Sequence, residues 1–102
     1  PEPDLQLVKP RADKYRKSHP TASDVLLLIE VADSSLRFDR TVKLPLYARH
    51  NIPEVWIVNL VESVVEIHRD PEGEDWRTTR RASRGETLEP AALPGVRVTV
   101  DE

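Results

Sequence analysis

The longest unbroken apolar stretch covers residues 25–29, and with Val31 it forms a nearly continuous apolar run bounded by polar segments. A short run of this kind predicts a strand buried on both faces rather than one with a solvent side. Ahead of it, Leu5, Leu7 and Val8 predict a first strand over Leu5–Val8, with Asp4 at its entrance. Residues 9–24, with Pro10, Pro20 and many charged side chains, read as a polar excursion between the two. After the buried run comes Asp33-Ser34-Ser35, a turn or helix N-cap cluster. Apolar positions at Leu36, Leu44, Leu46, Tyr47 and Ala48 then predict a helix over residues 36–50. Pro45 lies inside it, where it removes a backbone hydrogen bond and clashes with the preceding turn, so the helix is expected to kink or restart there. Asn51, Ile52 and Pro53 end it.

Two further strand-like runs, residues 55–60 and 64–68, are separated only by Val61, Glu62 and Ser63, which predicts a tight hairpin. Another strand is expected over 76–82, reached through 70–75, and the tail 93–100 offers one more short strand. Strand, buried strand, helix and then further strands make a mixed sheet with one helical crossover, so the fold class is α/β or α+β.

At 102 residues the chain is one domain at most, and its core is thin. It has no cysteine, which excludes a disulfide frame, a thiolate metal site and a cysteine nucleophile. A reducing, cytoplasmic setting is the default. The apolar runs fall far short of the roughly 20 residues a spanning helix needs, and no charged-then-apolar leader opens the sequence, so neither membrane insertion nor secretion is supported. The chain begins at Pro1 without a methionine and reads as a fragment of something longer. Its net charge of -3 is unevenly spread: residues 1–49 carry nine Lys or Arg against seven Asp or Glu, and residues 50–102 six against eleven. The first half tolerates a polyanion, but phosphate binding depends on local neutralisation rather than on totals.

Glu30 is the first oddity, a carboxylate following five apolar residues in a strand that otherwise looks buried. Alone it reads as the strand's exposed end; buried, it would need a cationic partner or a metal. Asp4, alone, reads as a turn residue after a proline. The helix supplies the missing cation, because Asp39, Lys43 and Tyr47 are spaced by four and share a face, with Arg40 on a neighbouring line. An ordinary surface ion pair between Asp39 and Lys43 is the plainer reading. The order of the elements points further: an Asp entering one strand, a Glu closing a buried strand, and a Lys on the next helix suit a metal-dependent phosphodiesterase. Asp4 and Glu30 would ligate Mg²⁺ (or Mn²⁺), the backbone carbonyl of Val31 would add an oxygen, and Lys43 would stabilise developing charge.

These residues resemble the Uma family of restriction-endonuclease-like proteins, placed in the PD-(D/E)xK nuclease superfamily. The resemblance runs over most of residues 3–68 and is carried by Pro3-Asp4, Glu30-Val31, Ser34, Asp39, Lys43, Tyr47 and the Pro53-Glu54-Val55-Trp56 stretch. It implies a restriction-endonuclease-like mixed sheet in a single domain over residues 1–102, lacking the helix and strands that family members carry ahead of the PD element. It implies that Asp4 and Glu30 are metal ligands. The lysine expected two residues after the acid is replaced by Ala32, so Lys43 matches superfamily members in which this lysine has migrated to the adjacent helix. Asp39 and Tyr47 would orient it. Asn59 stands where the family commonly has Asp. The implied activity is Mg²⁺-dependent hydrolysis of DNA phosphodiesters, and a homodimer across an exposed strand edge is compatible with it. The alternative is a non-catalytic nuclease-like scaffold serving nucleic-acid binding or dimerisation.

Other features carry less. Arg77, Arg80, Arg81 and Arg84 alternate between the two faces of a strand and read as a charged edge more readily than as a phosphate track. His19, His50 and His68 share no metal-ligand spacing and read as surface or turn residues. Trp56 reads as core, and no Gly-rich phosphate loop, nucleophilic serine motif or dinucleotide fingerprint is present.

Overall fold

A computed structural model describes residues 5–10, 22–33 and 36–100. Its centre is a five-stranded mixed sheet in the order β1-β2-β3-β4-β5, formed by Leu5–Val8, Val25–Ala32, Glu54–Asn59, Val64–Glu72 and Asp75–Ser83. β2 and β3 pair in parallel, and the other neighbours are antiparallel. A parallel pair needs a crossover, which the helical residues 36–49 provide. The result is the α+β restriction-endonuclease-like arrangement that the sequence implies.

Strand alternation sorts the core into two layers. On the helix side, Leu28, Ala32, Val55 and Ile57 pack with Leu44, Tyr47 and Ile52. On the opposite side, Leu27, Trp56, Val65, Ile67 and Ala82 pack beneath Leu88. Leu88 belongs to a small hairpin, β6 (Thr87–Leu88) with β7 (Val98–Thr99), that lies over this second face. β1 meets β2 with a bulge, because Leu7 pairs with Leu27 but Val8 with Val25. Leu26 is the extra residue, and the phase change turns Val25 toward the helix side.

The helical run departs from the expected single helix. One α-turn, α1 (Leu36–Phe38), leads into a π-helical turn (Asp39–Lys43) and then α2 (Leu44–Arg49). Pro45 therefore stands in the first turn of α2, where a missing N–H costs nothing, and the wider turn before it makes room for the ring. α2 closes with a Schellman arrangement. Asn51 takes φ 58°, its N–H bonds the Ala48 carbonyl at 2.9 Å, and the Ile52 N–H bonds the Tyr47 carbonyl at 3.1 Å. Ile52 is thereby turned into the core.

The β3–β4 hairpin forms as expected, with Ser63 at φ 57° in its turn. Asn59 clasps this turn, its side-chain carbonyl accepting from the Glu62 N–H and its amide donating to the Glu62 carboxylate, both at 3.0 Å. β4 runs on to Glu72, so part of the expected connection is strand, and the β4–β5 reversal is confined to Gly73 and Glu74. Gly73 adopts φ 66°, a conformation that favours glycine. Among the described residues, no helix is long and apolar enough to cross a membrane.

Candidate functional site

Glu30 lies on the helix side of β2 and is 2% exposed. The exposed-end reading of this residue is thus overturned: β2 continues through Val31 and Ala32, and α2 covers the carboxylate. Two side chains from the helical run converge on its Oε2 oxygen. The Tyr47 hydroxyl donates to it at 2.6 Å, and Lys43 Nζ stands 3.3 Å away. Lys43 is largely covered, with its side chain 16% exposed, and its ammonium lies 5.7 Å from the centroid of the Phe38 ring. A buried carboxylate, a phenol and an ammonium thus share one place, as the four-residue spacing of Lys43 and Tyr47 anticipates.

The remaining expected residues divide. Val31 pairs with Val58, and its side chain is half exposed on the opposite face. The backbone of Asp39 opens the π-helical turn, while its side chain lies outside the described residues. Asp4 also lies outside them. The first described residue of β1, Leu5, pairs with Ile29, the neighbour of Glu30.

A second charged group occupies the same face. Ile57 pairs with Glu30 on one side and with Glu66 on the other, which puts both glutamates in one row across the sheet. Glu66 is 4% exposed. Arg40 Nε donates to its Oε1 at 3.1 Å and Arg40 Nη2 donates to its Oε2, a two-pronged grip. Burial alone would raise the Glu66 pKa, but the hydrogen bonds and charge of Arg40, together with His68, outweigh it and hold the carboxyl below its ordinary value.

His68 lies two residues further along the same strand and corrects a sequence expectation. It is 7% exposed rather than a surface or turn residue. Its Nδ1 is 3.4 Å from the Thr79 hydroxyl, and its Nε2 lacks a hydrogen-bond partner and lies 3.6 Å from Glu66 Oε1. Burial lowers its pKa, with Glu66 opposing and Arg40 adding to the effect. Sequence reasoning missed both Glu66 and His68, although the alternation Glu66-Ile67-His68 after two valines was the available signal for one polar face in a central strand.

The opposite sheet face holds a third buried carboxylate, Glu54, at 1% exposure. It accepts from Trp56 Nε1 at 2.7 Å, Arg69 Nε at 2.8 Å and the Ala91 N–H at 2.9 Å. With three donors fixed on it, Glu54 ties the 89–91 segment to β3 and has a structural role. The arginines of β5 are likewise engaged: Arg77 meets Glu72, Arg80 meets Glu86 and Arg81 meets Glu62. That is the charged edge expected of them. Trp56 is buried, as expected of a core residue. His50 caps α2 at the surface.

Among the described residues, no three His, Asp or Glu side chains gather in the manner of a metal centre. The Glu30 carboxylate is nevertheless the hard oxygen donor that Mg²⁺ or Mn²⁺ takes, held by Tyr47 in one orientation. The donor chemistry fits such an ion.

Residues 1–101 match the model of the Uma2 family, described as "putative restriction endonuclease". No curated protein matches the chain.

Proposed function

Because the chain belongs to the Uma2 family of restriction-endonuclease-like proteins, we propose that it is a metal-dependent endonuclease acting on DNA phosphodiesters. The observation that carries this reading is the meeting of Lys43 Nζ and the Tyr47 hydroxyl at one oxygen of buried Glu30. In this reading Asp4, Glu30 and the Val31 carbonyl hold Mg²⁺ or Mn²⁺. The pairing of Leu5 with Ile29 supports a role for Asp4 beside Glu30. A divalent ion held there supplies Lewis-acid polarisation of a phosphoryl oxygen.

The chain's own residues do the rest. Tyr47 fixes the Glu30 carboxylate by a short hydrogen bond, so the carboxylate does not have to be ordered when substrate arrives. Lys43 offers a poorly hydrated cation to the charge that develops on the phosphate, where its effect exceeds that of a fully solvated ammonium. In the same reading Asp39 orients Lys43. A homodimer, in which two such sites meet a two-fold symmetric duplex, belongs to the same reading.

The second reading is a nuclease-like scaffold that binds nucleic acid without cutting it, and it is favoured by the Glu30 carboxylate being met within the fold by an ammonium and a phenol. The test is cleavage of mixed single- and double-stranded DNA with Mg²⁺ or Mn²⁺ by this chain and its Lys43→Ala variant. Calorimetric metal titration of the parent and of Glu30→Ala accompanies it. Cleavage that needs both metal and Lys43 supports the nuclease. DNA binding with no cleavage and no metal uptake supports the scaffold.

A further inference from the structure

The helical run is fastened to the sheet in two different ways. From Leu44 onward the attachment is apolar, through buried Leu44, Tyr47 and Ala48. Among the described side chains of residues 37–43 it is not: Phe38 is 49% exposed, Val42 is 46% exposed, and none is a buried apolar group. What reaches the sheet from the π-helical turn is charge. Lys43 goes to Glu30 on β2 and Arg40 goes to Glu66 on β4.

Glu30 and Glu66 flank Ile57 in one row, about 9–10 Å apart at two strand spacings. Arg40 and Lys43 are three residues apart on the turn that crosses this row, so the turn is pinned at two points of the sheet. We propose that Arg40 is a positioning residue for Lys43: by gripping both oxygens of Glu66 it sets the π-helical turn against the sheet and holds the Lys43 ammonium at Glu30. This inference rests on the reading in which Lys43 acts at the Glu30 site.

The chemistry of the grip supports the assignment. Two parallel N–H···O bonds from a planar guanidinium fix direction as well as distance, whereas an ammonium supplies only a point charge. The Glu66 side chain is buried at 6% exposure while that of Arg40 is 41% exposed, so solvent reaches the pair from the Arg40 side only. A direct role for Arg40 on a substrate phosphate fits less well. Both Glu66 oxygens already face it, and Glu62 Oε1 stands 3.9 Å from its Nη2 on the outer side.

The test tracks the Lys43 ammonium by ¹H–¹⁵N NMR in the full chain, assigned by its loss in Lys43→Arg, alongside thermal unfolding and DNA cleavage. In the parent, the Lys43 resonance is expected to be protected from exchange. In Arg40→Gln, with cooperative unfolding retained, it is expected to move to the position of exposed lysines. The cleavage kcat is then expected to fall by ~10–100-fold while KM changes by less than about threefold, the pattern of a displaced group rather than lost substrate binding. Arg40→Lys, which keeps the charge without the fork, is expected to restore only part of both signals. An unchanged Lys43 resonance in folded Arg40→Gln overturns the proposal, as does a parent resonance with no protection. If Arg40→Gln does not fold, Arg40→Lys decides, and a resonance identical to the parent's overturns it. If the parent cuts no DNA, the nuclease reading fails, while the NMR result still decides the role of Arg40.

Discussion

The Tyr47 hydroxyl donates to Glu30 Oε2 at 2.6 Å, the same oxygen that Lys43 approaches to 3.3 Å. One oxygen therefore receives a neutral donor and a charged one from a single helix face, which allows geometry and charge to be separated by mutation. Tyr47→Phe removes only the hydroxyl and is expected to cost about 1.5–3 kcal/mol in urea denaturation, the range for a hydrogen bond to a charged group. Metal-dependent cleavage should be reduced but retained, because Lys43 stays in place. Complete loss of cleavage in a stably folded Tyr47→Phe would mean that the phenol itself meets the substrate.

The two partners of the buried ion pair should respond unequally. Lys43→Ala leaves a 2% exposed carboxylate without its cation and is expected to destabilise the chain by about 1–3 kcal/mol. That figure is below the value for a fully buried pair, since the Lys43 side chain retains some solvent contact. Glu30→Gln keeps the volume and a hydrogen-bond acceptor for Tyr47 while removing the buried charge. Its stability should fall by less than that of Lys43→Ala, because the Lys43 ammonium left behind keeps some solvent contact, while metal uptake by calorimetry is lost. Equal destabilisation by both variants would argue that the pair serves folding alone.

Glu54 provides the contrast. Glu54→Ala strips Trp56 Nε1, Arg69 Nε and the Ala91 N–H of one shared acceptor. A loss of about 3–5 kcal/mol is expected from unfolding curves, since the variant strands a buried indole N–H and a guanidinium. The Lys43–Glu30 geometry lies on the other face of the sheet, so metal uptake by whatever fraction remains folded should be unchanged.

Much of this architecture was legible in the chain. The buried strand β2, the β3–β4 hairpin and β5 announce themselves by apolar runs and short polar breaks, and Lys43 and Tyr47 by their spacing. The π-helical turn was legible only as a disturbance at Pro45, because a wider turn leaves no periodic mark over five residues. Glu66 and His68 were hidden for a different reason. Their burial depends on which strand lies beside β4 and on a helix arriving from 26 residues earlier in the chain, neither of which a local pattern encodes. Glu54 has the look of a strand-entry charge, and only the 89–91 segment closing over it reveals its burial. β6, only two residues long, has too few positions to show alternation.

His68 makes the stability pH-dependent in a defined direction. Burial, aided by Arg40, holds its pKa below the ordinary value of about 6.5 despite the pull of Glu66. Between the folded-state pKa and about 6.5, the unfolded chain binds more protons at this residue than the folded one does. Stability should therefore fall as pH drops through that window and level off, for this group, below it. Glu66, with its folded pKa lowered, contributes stability above its unfolded value that is lost as pH falls through the folded one. Urea denaturation from pH 7.5 downward should show both limbs. His68→Gln should remove the upper limb and keep the lower, and persistence of the upper limb would assign it to another group.

The π-helical turn has a consequence of its own. An α-helix advances about 100° per residue, so a turn that absorbs one additional residue resets the angular phase of α2 relative to α1. Deleting Thr41 or Val42 would let the run close as an ordinary α-helix. Lys43 and Tyr47 would keep their angular relation to Glu30, while Arg40 would be rotated off Glu66. The turn thus acts as a vernier between two carboxylates whose separation the sheet has fixed, and the length of this segment is under a tighter constraint than any one of its exposed side chains.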